Sequence, residues 1–232
     1  MGSKEHLVDR VVNEVQRLIT AGQIQPGMRL PPERQLCEQF GVSRTVVREA
    51  VRILVTKGLL ETRPGIGTTA CSLTSQQLTR PLSILMQAHQ QKITLDHLHQ
   101  VRKILEVEIA RLAALQANEE DLARLGEIVQ SMQEVQGEAR QFALLDGEFH
   151  QALAATTHNP LLALLLDSIH DLMWDVRLMV QQHPDLAQTV IPDHQRILES
   201  IASRQPQAAS QAMQEHLDHA RLIQERFLAE EK

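Results

Sequence analysis

Two helix-patterned runs meet across only four residues, "FGVS" at 40–43, and this junction leaves the start of the chain few ways to fold. The first run, "ERQLCEQF", follows Pro31 and Pro32, which are tolerated in a helix's first turn, and ends at Gly41. Ser43 is a strong N-cap for the second, "RTVVREAVRILVTKG", which stops at Gly58. A glycine between two short helices permits the tight corner of a helix-turn-helix. Ahead of the pair, Leu7, Val11, Val15 and Leu18 recur at helical spacing and predict a further helix ending near Gly22. Behind it, "LLETRPGIGTTA" holds two short extended runs about "RPGIG", a hairpin signal. Helix, helix, helix, hairpin in that order is a winged helix-turn-helix.

The second helix of the pair carries Arg44 in its first turn and Arg48 one turn later, on one face. Arginine forks onto guanine O6/N7 or onto phosphate oxygens, which is what a helix presenting its N-terminus to a major groove requires. Ser43 and Thr45 flank Arg44 at the same end and join the candidate DNA contacts. Arg34 on the preceding helix and Arg63 in the wing are placed for the DNA backbone, with Gly65 and Gly67 letting the chain approach closely. The plain alternative is a solvated arginine face. Residues 1–70 carry ten Lys/Arg against seven Asp/Glu, whereas 71–232 carry thirteen against twenty-two. A basic module on an acidic chain points to a polyanion partner for the first part only. The stretch "LPPERQLCEQFGVSRTVVREAVRILVTKGLLETRPGIGT" resembles the winged helix-turn-helix of the GntR family of bacterial transcription regulators. That resemblance implies DNA contacts by Arg34, Arg44 and Arg48, with Gly65 at the wing tip. After the wing, "TTA" stands where the family often has a bulky apolar residue.

Beyond Cys71 the pattern is wholly helical. "CSLTSQQLTRP" reads as a polar linker over 71–81, with Pro81 predicting a break. Helices are expected at about 82–90, 94–117, 119–135, 138–156, 160–181, 190–203 and 206–229, the spacing following apolar periodicity. Asn159–Pro160 makes a cap and first-turn start. Short connections predict antiparallel neighbours, so the expected architecture is mostly α: a winged helix-turn-helix over 1–70, then an all-α antiparallel bundle over 82–232. With no Tyr, four Phe and one Trp, the core rests on aliphatic side chains. Cys37 and Cys71 form no framework, no apolar run reaches the ~18 residues of a membrane span, and no leader pattern precedes the first helix. A reduced cytoplasmic location without a membrane partner is the expectation.

In "FALLDGEFHQALA", Asp146 and His150 lie four residues apart beside the stripe Phe142, Leu145, Phe149, Leu153. An acid and an imidazole turned toward a core need partners, because unpartnered burial costs several kcal/mol. His194 and His216 lie on two later helices. One carboxylate and three imidazoles suit Zn²⁺, Ni²⁺ or another divalent transition metal. By spacing alone, and with eleven histidines to draw on, a histidine satisfied within the core is the more common explanation for any one of them.

The stretches "VRKILEVEIARLAA", "LDGEFHQALAATTHNP" and "DHQRILESIASRQPQAASQAMQEHL" resemble the all-helical FCD effector domain of the FadR-like branch of the same family. The resemblance implies a divalent metal held by Asp146, His150, His194 and His216, and a small organic acid completing its shell. Arg102, paired in the motif with Glu106, is the candidate contact to that acid; Trp174 and Arg177 are further pocket candidates. His170 shares their expected helix face, and His219 reads as solvated. A metal-dependent hydrolase is the rival in another class, but Glu148 points away from Asp146 and His150, and no nucleophile motif is present. A purely structural metal is the third reading. The expectation is a homodimeric regulator on a palindromic operator, its affinity set by a small carboxylate.

Overall fold

The computed structural model describes residues 2–72, 74–88, 94–135, 137–180 and 186–230. The chain divides into two compact units, Met1–Leu73 and Thr74–Lys232.

In the first unit, α1 (Gly2–Thr20), α2 (Glu33–Phe40) and α3 (Arg44–Thr56) precede an antiparallel hairpin of β1 (Leu60–Arg63) and β2 (Gly67–Ala70). Gly41 takes φ 64°, the left-handed conformation that a glycine adopts without strain, and so makes the corner between α2 and α3. The Ser43 side chain accepts from the Val46 amide at 3.4 Å and caps α3. Val46, Val47, Ala50 and Leu54 form the buried face of α3. On α1 the buried residues are Val8, Val11, Val12 and Val15, while Leu7 is only partly covered. The apolar face is therefore centred nearer Val12 than the Leu7–Leu18 spacing suggests. The small Ala70 proves sufficient at the end of β2. It pairs with Leu60 and is bracketed on its other edge by 27–30, where Leu30 N donates to Thr68 O at 2.8 Å and Ala70 N to Met28 O at 2.9 Å.

The second unit is helical throughout its described residues: α4 (Gln76–Ala88), α5 (Leu95–Gln116), α6 (Glu119–Glu134), α7 (Ala139–Ala155), α8 (Pro160–Leu172), α9 (Trp174–Val180), α10 (Leu186–Ala202) and α11 (Pro206–Glu230). No described helix is long and apolar enough to cross a membrane. Side-chain caps set several boundaries. Thr94 and His97 form a capping box before α5, Asn118 and Asp121 another before α6 at 2.9 Å each way, and Asn159 caps α8 ahead of Pro160. Ala110, Ala113, Ala114 and Ala209 are fully buried, and their small side chains let α5 and α11 pack closely. Ile109, Leu125, Met132, Phe142, Phe149, Leu153, Ile197, Ile201 and Met213 fill the core between the helices.

Three expectations are corrected here. Pro81 does not break the chain: α4 begins at Gln76, inside the expected linker, and runs through the proline. Thr79 Oγ1 fastens this helix to α8 through Asp171 Oδ2 at 3.1 Å, and such tertiary ties offset the backbone hydrogen bond that a proline removes. Pro192 likewise lies within α10, which starts four residues earlier than expected. The single helix over 160–181 is instead two, separated at Met173. Met173 is buried, and the chain beyond it restarts as α9, which carries Trp174 and Arg177. The expected helix ends at 89–90 and at 181 lie outside the described residues.

Candidate metal centre and DNA-reading helix

In the first unit, Ser43, Arg44, Thr45, Arg48 and Arg52 are exposed on the side of α3 opposite its buried face. Arg48 makes a forked pair with Glu33 of α2, its Nε lying 2.9 Å and 3.0 Å from the two carboxylate oxygens. Arg34 lies 3.4 Å from Glu38, and Arg63 lies 3.1 Å from Glu61. All three pairs are solvent-exposed, so each contributes little and is readily exchanged for phosphate. Gly65 sits at the wing tip with φ 75°.

In the second unit, α7 places Asp146 and His150 on its buried face, beside Phe142 and Phe149. His194 from α10 and His216 from α11 converge on them, and ligand atoms of all four lie within 4.8 Å of one another. His150 and His194 are fully buried, and Asp146 and His216 nearly so. The histidine Nε2 atoms face inward. That of His150 lies 3.3 Å from His216 Nε2 and 3.9 Å from Asp146 Oδ1; that of His194 lies 3.6 Å from Asp146 Oδ1. His194 Nε2 has no hydrogen-bond partner although it is buried. A convergent, buried lone pair without a donor is what a cation would satisfy.

The protonation states fit the same use. Burial alone raises the Asp146 carboxyl, but Arg177, with Nε 3.2 Å from Oδ2, and then the three imidazoles outweigh it and hold the acid well below its usual range. Burial pushes His194 and His216 down, so both rings are neutral at pH 7. An ionised carboxylate with neutral imidazoles is the ligand-ready form.

Glu106 and Arg102, one turn apart on α5, are buried together, with Arg102 Nε 2.6 Å from Glu106 Oε1. The carboxylate also meets His170 Nε2 at 3.2 Å and approaches His150 Nδ1 to 2.5 Å, at an angle that makes no hydrogen bond. Burial tends to raise the Glu106 carboxyl; Arg102, His150 and His170 hold it well below its usual range. Glu106, His150 and His170 form a second three-donor group. Arg102 already neutralises that carboxylate, so a cation there would meet a guanidinium at short range. As a buried anion, Glu106 stands behind the site and is not a contact for an acid. His170 lies on α8, not on the helix of Trp174 and Arg177, and burial pushes it down to about 3.

Arg177 comes from α9. Its guanidinium passes over Gly147 of α7, where an added Cβ would lie 2.8 Å from Nη1. Arg177 Nη2 is buried without a hydrogen-bond partner. The residue borders a cavity of about 490 Å³ lined also by Ser75, Leu145, Gly147, His170 and Trp174. His219 is not simply solvated: Nδ1 lies 2.8 Å from the buried Asp193. Sequence reasoning missed Asp193, Met132 and Gly147, although "PDH" sets an acid directly before a ligand histidine.

Comparison with known proteins accounts for both units. Residues 7–69 match the model described as bacterial regulatory proteins, gntR family, and residues 97–219 match the FCD domain. The chain is 32% identical over 216 residues to the Glc operon transcriptional activator of Escherichia coli K12, covering 89% of this chain and 84% of the relative. It is 32% identical over 228 residues to the Uxu operon regulator of Haemophilus influenzae, covering 94% and 83%. A solved structure titled Streptococcus agalactiae GntR is similar with a TM-score of 0.72 at 28% identity, covering 90% of this chain and 96% of that one. These relatives are regulators and not enzymes. This chain belongs to the GntR family of bacterial regulatory proteins: it is a DNA-binding transcription regulator whose helical unit is an FCD domain.

Proposed function

We propose that this regulator senses a small carboxylate at a divalent metal held by Asp146, His150, His194 and His216, and that occupancy changes its affinity for a palindromic operator. The observation that carries the reading is the closed set of four buried donors with the orphaned His194 Nε2. Zn²⁺ or Ni²⁺ suits three imidazoles and one carboxylate. Charge supports an anionic ligand. Within the site, Asp146 and Glu106 balance Arg102 and Arg177, so a divalent ion would add two positive charges with no internal counterpart. In a dry interior such an excess favours an anion. When bound, the metal supplies a Lewis-acidic site that accepts a carboxylate oxygen. Arg177, with one nitrogen on Asp146 and one unpartnered, is placed to donate to the same ligand, and Trp174 forms part of the cavity wall. Arg102, close enough to Arg177 for their charges to interact, adds positive potential.

At the DNA, Arg44 and Arg48 read base edges or phosphates, aided by Ser43 and Thr45, while Arg34, Arg63 and the Gly65 wing meet the backbone. A palindrome requires two recognition helices about one groove turn apart, hence a homodimer. Such a regulator works in the compartment that holds its operator, the cytoplasm.

The test is thermal melting of the purified protein against a panel of small carboxylates, each with and without chelator. A ligand at 100 times its Kd adds about 2.7 kcal/mol and moves the melting point by several degrees. The expected result is a hit abolished by chelator. No hit, with chelator still lowering the melting point, would replace the sensor with a structural metal; no response to either would remove the metal.

A further inference from the structure

The ligand histidines share a feature that metal binding alone does not require. Each turns Nε2 inward and Nδ1 outward, and an acceptor atom stands opposite each Nδ1, although only that of His194 is hydrogen-bonded. His150 Nδ1 faces Glu106 Oε2 at 2.5 Å, close enough for charge attraction but not at a hydrogen-bonding angle. His216 Nδ1 faces Asp193 Oδ2 at 3.8 Å, just beyond hydrogen-bond reach. His194 Nδ1 lies 3.4 Å from Met132 Sδ, and its ring stacks on Phe149 at 4.0 Å between centroids. The two carboxylates are themselves fixed by cations and imidazoles: Glu106 by Arg102 and His170, Asp193 by Arg196 at 3.2 Å and His219 at 2.8 Å.

A neutral imidazole binds a metal only through its unprotonated nitrogen, and which nitrogen that is depends on what the other one meets. An acceptor at Nδ1 holds the proton there and leaves the Nε2 lone pair free. A carboxylate does so strongly and raises the basicity of the coordinating nitrogen; a thioether does so weakly. We propose that Glu106 and Asp193 are positioning residues that fix the Nδ1–H tautomer of His150 and His216, and that His194 is held chiefly by stacking. The proposal rests on the metal reading above. It also explains why Glu106 is buried behind the site with Arg102 and His170 holding it still. Of the two carboxylates, Glu106 has the closer approach and so the greater effect.

The test uses the whole 232-residue chain, stripped with chelator and titrated with Zn²⁺ against a chromophoric competitor. Imidazole ¹⁵N–¹H correlation spectra report the tautomer of each ring. Wild type is expected to bind one ion per chain, with His150 and His216 protonated at Nδ1. Glu106→Gln and Asp193→Asn are each expected to weaken Zn²⁺ binding about 10- to 100-fold at unchanged stoichiometry, with the Nδ1–H signal of the corresponding ring lost or split between tautomers. Met132→Leu is expected to change affinity by less than either. Should Glu106→Gln fail to fold because Arg102 is left buried and unpaired, Asp193→Asn decides, since Arg196 keeps Glu215 at 2.9 Å. Wild type binding no metal would overturn the metal reading itself. Wild type binding metal, with variants of unchanged affinity and tautomer, would overturn only the role of Glu106 and Asp193.

Discussion

Replacing Gly147 by alanine displaces the guanidinium proposed to hold the ligand without touching a metal ligand. The new Cβ would stand 2.8 Å from Arg177 Nη1, against the ~3.5 Å of an ordinary carbon contact. The guanidinium must retreat by roughly 0.7 Å on that contact distance. Arg177 Nε sits 3.2 Å from Asp146 Oδ2, already at the long end of hydrogen-bond reach, so a retreat with any component away from Asp146 weakens that contact. The backbone has no reason to move: Gly147 lies within a helix, where alanine is favoured by about 1 kcal/mol, and the adjoining cavity leaves a flexible side chain room to swing. A charge-assisted hydrogen bond contributes about 1.5–3 kcal/mol, which is roughly a tenfold to hundredfold change in affinity. Gly147→Ala is therefore expected to bind the carboxylate found by the melting screen tenfold to a hundredfold more weakly by titration calorimetry, with the metal-free melting point lowered by whatever the loosened Arg177–Asp146 pair contributed. Wild-type affinity in this variant would show that Arg177 does not hold the acid.

Other consequences can be measured in the same way. Arg44→Ala and Arg48→Ala should each weaken operator binding by roughly 1–3 kcal/mol if they read bases, by fluorescence anisotropy; unchanged affinity would return them to a solvated face. His194→Ala should lower metal content per chain, by elemental analysis, while operator binding persists; full occupancy would remove His194 from the site. Metal-free protein should lose stability on acidification. His170, His194 and His216 are pushed down by burial, His170 to about 3, so between the ordinary value of 6.5 and that range the unfolded chain binds protons that the folded one refuses. The loss is at most about 1.4 kcal/mol per histidine per pH unit. The depressed Asp146 carboxyl extends the loss below its ordinary 3.8. A urea midpoint that does not fall between pH 6.5 and 4.5 would contradict these environments.

What could be read in the sequence was local chemistry. Ser43, Gly41 and Asn159 act through neighbours a few residues away, so their roles as cap, corner and helix start are written in the chain itself. Asp146 and His150 are visible together because one helical turn separates them. Bringing His194 and His216 to the same point depends on how α10 and α11 pack, which spacing does not state and family resemblance supplied. The break at Met173 has no glycine or proline to announce it, and Pro81 and Pro192 sit within helices because contacts from other elements override local preference. Met132 behind His194 and Gly147 beneath Arg177 act across 62 and 30 positions of chain, and only the folded arrangement shows either.

The aliphatic composition has an optical consequence. Trp174 is the only tryptophan, there is no tyrosine, and residues 1–73 contribute no fluorophore beyond phenylalanine. The one indole borders the cavity beside Arg177. Light emitted on excitation at the red edge of protein absorbance therefore comes from a single address in the molecule, with no background from the DNA-reading unit and no transfer from tyrosine. The unmodified protein carries its own reporter of what enters that cavity.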